Sequence, residues 1–258
     1  IKEDYLRILR YFRFLSCYGN PIENVNLNYV KIFFKLSDNV ARLSKERVWS
    51  ELRKILGSRN PYESLKLMKK SGILNWILPD IDLSTLKSIL IIENLVKELL
   101  ALIKGIGIVK FSDPICRLAA LGFFDRKNIK VYLRLTKKEY KSLQNCYNSL
   151  NSCEPIEIIS YRYGLQSALN STIIQTAKHI SPGSKNKGSK DIRNILSKAV
   201  DDIVRGHSAK FPISSKQINW GASNARDLGE NIKRLKAIWI SSGFRCSREE
   251  LLQYHKEW

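Results

Sequence analysis

A chain of 258 residues, 44% of them apolar, can bury a substantial core as one large domain or two to three small ones. Its 44 lysines and arginines against 24 acids give a formal charge of +20 and an isoelectric point near 9.8, more than solubility needs, and they point to a polyanionic partner, nucleic acid first. The most apolar stretch, Leu86 to Val109, is broken by Lys87, Glu93, Lys97, Glu98 and Lys104, which argues against a membrane span, and five widely spaced cysteines with no C-x-x-C pair argue against a disulfide framework or a zinc site, so a reducing cytoplasm is expected.

Apolar residues recur at helical spacing almost throughout, which predicts an all-α fold. The first helix is expected over about Lys2 to Cys17, with Leu6, Leu9, Phe12 and Leu15 along one ridge and Tyr18-Gly19-Asn20-Pro21 ending it. A second spans about Leu27 to Leu36. The third is fully punctuated: Ser44 as N-cap, Glu46 in the first turn, Val48, Leu52, Ile55 and Leu56 on the apolar face, and Gly57 just past the end. Asn60-Pro61 opens the next, with Asn60 capping and Pro61 at the first helical position, and Ser71-Gly72 closes it before the apolar run Ile73 to Leu78 and the stop at Pro79.

Leu83 to Lys104 reads as a long apolar helix or helix pair, and Asp113-Pro114 introduces a buried helix from Ile115 to Phe124. Helices follow over Lys137 to Asn151, Pro155 to Tyr163 and Gly164 to His179. The stretch Ser181 to Lys190 is rich in Gly, Ser and Lys and reads as a mobile basic loop leading into a helix from Asp191 to about Arg205. A last helical pair covers about Ser223 to Ser241 and Ser247 to the C-terminus, with Gly243 between.

The first helix opens Glu3-Asp4-Tyr5-Leu6-Arg7-Ile8-Leu9-Arg10, which puts Asp4 and Arg7 on one face with Arg10 a turn beyond. A carboxylate beside a guanidinium can read a base edge. The carboxylate accepts from the exocyclic amine of cytosine or adenine, the guanidinium donates to the neighbouring ring nitrogen or carbonyl, and uracil and guanine present a carbonyl where an amine is required. Taken alone, such a pair is more often an exposed ion pair that stabilises the helix slightly.

The neighbours shift that balance. The string Glu3-Asp4-x-Leu6-Arg7-x-Leu9-Arg10-x-x-Arg13-Phe14 resembles motif D of class II CCA-adding enzymes and bacterial poly(A) polymerases. About thirty residues later, Arg42-Leu43-Ser44-Lys45-Glu46-Arg47-Val48-Trp49-Ser50-Glu51-Leu52 is similar to that family's motif E. Lys69 to Leu74 with Leu78-Pro79-Asp80, and later Phe211-Pro212-Ile213-Ser214, Leu228-Gly229-Glu230 and Trp239, extend the likeness more thinly.

The resemblance implies a helical neck (residues 1–58), body (59–135) and RNA-binding tail (136–258). In it Asp4 and Arg7, with Glu3 and Arg10, bind incoming CTP or ATP, and Arg42, Glu46, Arg47 and Glu51 brace them. The competing reading of the bracing set is a helix cap and i,i+4 pairs such as Arg47 to Glu51. The resemblance further implies tRNA as partner, and Mg2+ held by carboxylates in a catalytic head domain upstream. No D-x-D after a Gly-Ser stretch occurs in this sequence, whose only methionine is Met68, so an upstream segment is expected and the chain by itself is expected to be inactive. Asp80-Ile81-Asp82 reads as a turn, Asp201-Asp202 as helix surface, and His179, His207 and His255 lie too far apart in sequence to suggest a metal site.

Lys185, Lys187, Lys190 and Arg193 are candidates for tRNA phosphate contacts, with a solvated loop as the competing reading. The alternative for the whole chain is a non-catalytic helical RNA-binding protein derived or split from such an enzyme.

Overall fold

The computed structural model describes residues 4–19, 25–103, 108–122, 129–130, 132–180, 189–214 and 225–256, with backbone only at residues 27, 189–190, 225–227 and 255–256. It is all-α, with no strand among the described residues.

Helix α1 (Leu6–Tyr18) turns Leu6, Ile8, Leu9, Phe12 and Leu15 into the core and leaves Arg7 and Arg10 outside. Helix α2 (Leu27–Lys35) leads into a six-residue 3-10 helix, Ser37–Arg42, which the helical periodicity did not foreshadow. Helix α3 (Lys45–Leu56) starts as its sequence punctuation requires, the Ser44 hydroxyl accepting from the Arg47 amide at 3.4 Å. Gly57 follows, and its missing Cβ matters: one would stand 3.2 Å from the Arg53 carbonyl oxygen and 3.4 Å from the Pro114 ring.

Helix α4 (Pro61–Lys70) has Pro61 at its first turn, but the Asn60 side chain makes no capping bond, contrary to expectation. Proline there removes one of the amides that need a cap. Gly72 takes the left-handed conformation at φ +71 and turns the chain into α5 (Ile73–Ile77).

Helix α6 (Ser84–Ala101) is one continuous helix, its first turn capped by Asp82, whose carboxylate accepts from the Ser84 amide at 2.9 Å and from the Ser84 hydroxyl. Helix α7 (Pro114–Ala120) starts on Asp113, which accepts from the Ile115 amide at 3.1 Å. Then come α8 (Lys137–Leu150), α9 (Ile156–Tyr163), α10 (Leu165–Ile180), α11 (Ser189–Ser208), α12 (Ala225–Ser241) and α13 (Arg248–Lys256). Helix α11 begins two residues before the expected start, and most of the expected loop, residues 181–188, lies outside the described residues.

Helix α1 packs on α3 and α4, α3 on α7, and α7 on α8. Helix α10 sits at the centre against α6, α8, α9 and α11, and buries Leu165, Ala168, Leu169, Ile173, Ile174 and Ala177. One apolar core runs from Leu6 to Ile203. A second, smaller cluster holds α12 to α13 through Ile213, Leu235, Trp239 and Leu251, and Tyr161 of α9 joins it edge-on to Trp239 at 5.6 Å between ring centroids.

Where α1, α3, α6 and α7 converge, Arg117 is fully buried with all its donor groups engaged. Its Nε and Nη2 meet the two Glu93 oxygens at 3.2 and 2.6 Å, its Nη1 donates to the Leu56 and Ser58 carbonyls at 2.6 Å each, and Nη2 reaches the Ser112 hydroxyl at 3.0 Å. No described helix is long and apolar enough to cross a membrane.

Candidate functional site

The start of α1 and the start of α3 meet at an ion pair. Asp4 stands just before α1, where one carboxylate oxygen accepts from the Leu6 amide at 3.0 Å, and the other receives Arg47 Nη2 at 2.6 Å. The Leu6 amide first, then Arg47 with Arg10 behind it, hold the carboxyl below its ordinary pKa against a smaller opposing effect of desolvation. The group stays ionised and acceptor-only at neutral pH, with two of roughly four lone-pair positions used.

Arg47 lies in the first turn of its helix, where the macrodipole disfavours a cation. Its partner 43 positions away explains why it sits there. Arg7 lies three residues beyond Asp4 on the exposed face of α1, its amide bonded to the Asp4 carbonyl at 3.1 Å, and Arg10 is exposed one turn further on. Glu3 lies outside the described residues.

The remaining motif residues part company. Glu51 is buried and takes Arg13 Nε at 2.6 Å and Lys54 Nζ at 3.4 Å, so it fixes the third arginine of α1, which nothing in the local sequence sets apart from Arg7 and Arg10. Arg47 and Glu51 therefore each reach back to α1. The i,i+4 pair between them is not what the described side chains form. Glu46 points outward, with Arg134 Nε at 3.7 Å, and Arg42 is exposed at the end of the 3-10 helix with no ion-pair partner among the described residues.

Sequence reasoning missed Glu139. It receives the Trp49 indole N–H and Arg53 Nη1 at 3.1 Å each, together with the Thr136 amide and hydroxyl at 2.9 Å. Burial alone would raise its pKa, but the Thr136 bonds, Trp49 and Arg53 bring it below the ordinary value. The T-x-x-E capping box from Thr136 to Glu139 was legible; its long-range partners were not.

Of the basic cluster, Lys185 and Lys187 lie outside the described residues, Lys190 is described in backbone only, and Arg193 on α11 pairs with Glu98 at 3.1 Å across to α6. Burial pushes the Cys116 thiol well above its ordinary pKa and that of Cys146 up to about 12, so neither is a ready nucleophile. Among the described residues no three His, Cys, Asp or Glu side chains are grouped so that they could hold a metal ion, and none is assigned to Mg2+. Asp202 pairs with Arg205 on its own helix at 2.9 Å, and Asp80 sits in a turn at φ +55.

This helical arrangement is the fold of CCA-adding enzymes. It matches the Thermotoga maritima CCA-adding enzyme complexed with tRNA-CCA at a TM-score of 0.62 and 16% identity, over 99% of this chain and 61% of that one. A family model described as the probable RNA and SrmB-binding site of polymerase A matches residues 30–84, from α2 into the start of α6.

The mitochondrial CCA tRNA nucleotidyltransferase 1 of Mus musculus is 26% identical over 270 residues, covering 100% of this chain and 56% of that protein. The Multifunctional CCA protein of Neisseria gonorrhoeae (strain NCCP11945) is 35% identical over 80 residues, 31% of this chain and 19% of that protein. The chain is therefore similar to CCA tRNA nucleotidyltransferases along its length, and to the RNA-binding region of the poly(A) polymerase family over residues 30–84. It spans about half the length of the mouse relative.

Proposed function

We propose that this chain is the nucleotide-selecting and tRNA-binding portion of a CCA-adding tRNA nucleotidyltransferase, with residues 1–58 as neck, 59–135 as body and 136–258 as tail. The observation that carries this reading is Asp4 held ionised by Leu6 and Arg47 beside the exposed Arg7. That carboxylate keeps free lone pairs for the amine of CTP or ATP, while Arg7 donates to the neighbouring ring atom. Glu3 and Arg10 flank the pair, Arg47 braces it directly, and Glu51 steadies the same helix through Arg13.

The net charge of +20 supplies the attraction for tRNA, and the tRNA-bound Thermotoga relative of the same fold supports that partner. Phosphoryl transfer needs metal-bound carboxylates, and these belong to a head domain with which this chain works; by itself it does not catalyse. Five free cysteines suit a reducing compartment such as the cytoplasm.

Equilibrium binding of CTP and ATP against UTP and GTP, on this chain together with such a head, tests the proposal. Preference for CTP and ATP, reduced about tenfold or more in Asp4→Ala and in Arg7→Ala, is the expected result. Salt-sensitive tRNA binding with no nucleotide preference would replace it with the non-catalytic RNA-binding alternative.

A further inference from the structure

The start of α8 and the segment before it form a cleft of about 350 Å3 lined by Ile129, Lys130, Leu133, Arg134, Leu135, Lys137 and Tyr140. Its floor is apolar, since Ile129 and Leu133 are each only 1% exposed. Tyr140 forms one wall, with the Lys130 ammonium over its ring at 4.9 Å. Lys130, Arg134 and Lys137 are exposed, and among the described lining residues there is no carboxylate.

Among the described residues two acids stand nearby, and neither neutralises the cleft. Glu139 is turned to Trp49, Arg53 and Thr136, and Glu46 meets Arg134 at 3.7 Å between two largely exposed side chains. An apolar slot with an aromatic wall and a rim of three cations is complementary to one unpaired nucleotide of a strand, whose base needs a stacking surface and whose flanking phosphates need cations. The volume lies at the lower end for small-ligand sites, which suits one nucleotide and not a longer segment.

We propose that this cleft holds a single unpaired nucleotide of the bound RNA, its base stacked on Tyr140 and its flanking phosphates on Lys130, Arg134 and Lys137. Base stacking on an aromatic ring is the stronger contact, so the base displaces the Lys130 ammonium from the ring toward the phosphate. Arg134 also links the cleft to the motif E helix through Glu46, which places the nucleotide beside the element that braces Asp4. The inference rests on the RNA-binding reading above and adds a second contact for RNA, apart from the base-reading pair.

The test measures binding of two RNAs to the full chain across a range of KCl: a tRNA acceptor-stem hairpin with an unpaired 3′ end, and the same hairpin cut blunt. Tyr140→Leu is expected to weaken binding of the overhang hairpin about tenfold and leave the blunt one unchanged, while Tyr140→Phe keeps both. Because Tyr140 also packs against the core, the exposed Lys130→Gln and Lys137→Gln provide an independent arm. Each should lower the salt slope for the overhang hairpin by about 0.7 per lost phosphate contact.

Equal losses for both hairpins, or none, would overturn the proposal while leaving RNA binding intact. Competition by free CMP or AMP as effective as by the overhang RNA would also overturn it, because the cleft would then take a mononucleotide and not a strand. If the unaltered chain binds neither hairpin, the RNA-binding reading itself fails.

Discussion

Glu139 gathers the Trp49 indole, the Arg53 guanidinium and both polar groups of Thr136 onto one carboxylate, and so ties α8 to the exposed edge of α3. Its folded pKa lies below the ordinary 4.5. The ionised network therefore contributes fully above that value, and its contribution is lost as pH falls through the lower folded value. Glu139→Gln should unfold about 1–2 kcal/mol more easily at pH 7, a figure discounted for the exposure of Arg53. Its urea midpoint should also fall less steeply than that of the unaltered chain as pH drops below 4.5; parallel acid limbs for the two proteins would count against the network. The Asp4–Arg47 pair at the same scale is more exposed, and its value lies in keeping one acceptor ionised and aimed, more than in stability.

Helices α9 and α11 approach so closely that a Cβ on Gly206 would lie 1.9 Å from the Glu157 carbonyl oxygen. The contact is completed by the Ser160 hydroxyl, which donates to the Ile203 carbonyl at 2.7 Å, and by Arg205 on Glu157 at 3.3 Å. In an isolated helix Gly to Ala would stabilise by about 0.5–1 kcal/mol. Here Gly206→Ala must separate two backbones and is expected to destabilise by about 1–3 kcal/mol, read as a lower urea midpoint; an unchanged or raised midpoint would show that the helices part freely. The sequence marks Gly206 only as a helix-interior glycine, because the clash lies with a helix more than forty residues earlier.

At the scale of the whole molecule, Arg117 and Glu93 join the motif-bearing half to the central helices. Arg117 also closes the end of α3 by donating to the Leu56 and Ser58 carbonyls. Arg117→Met leaves Glu93 charged and buried and should cost about 3–5 kcal/mol in chemical denaturation. Adding Glu93→Leu should restore only part of that, because the Leu56 and Ser58 carbonyls still lack their donor; full recovery would show that the pair is dispensable. Both residues interrupt apolar runs in the sequence, a visible sign that a charge is being carried into a core, but nothing local names its partner.

What the sequence by itself determined is the set of helices and most of their ends. Ser44, Asp113-Pro114, Gly72 and the 3.6-residue apolar ridges act within a few residues of the chain, so local physics suffices to read them. It also carried the family resemblance, because the residues around Asp4 and Arg7 and around Glu46 and Arg47 stand at spacings readable along the chain; the helix holding Arg7 starts at Leu6, so Asp4 lies just ahead of it and not within it as expected. Only the tertiary structure decided which bracing residue meets which. Arg47 crosses to Asp4, Glu51 crosses to Arg13, Glu46 turns outward to Arg134, and Asn60 makes no capping bond. On an isolated α3 the i,i+4 partner would be the available choice, and packing α1 against α3 supplies closer ones, since ion pairs are settled by distances that exist only once the helices are docked.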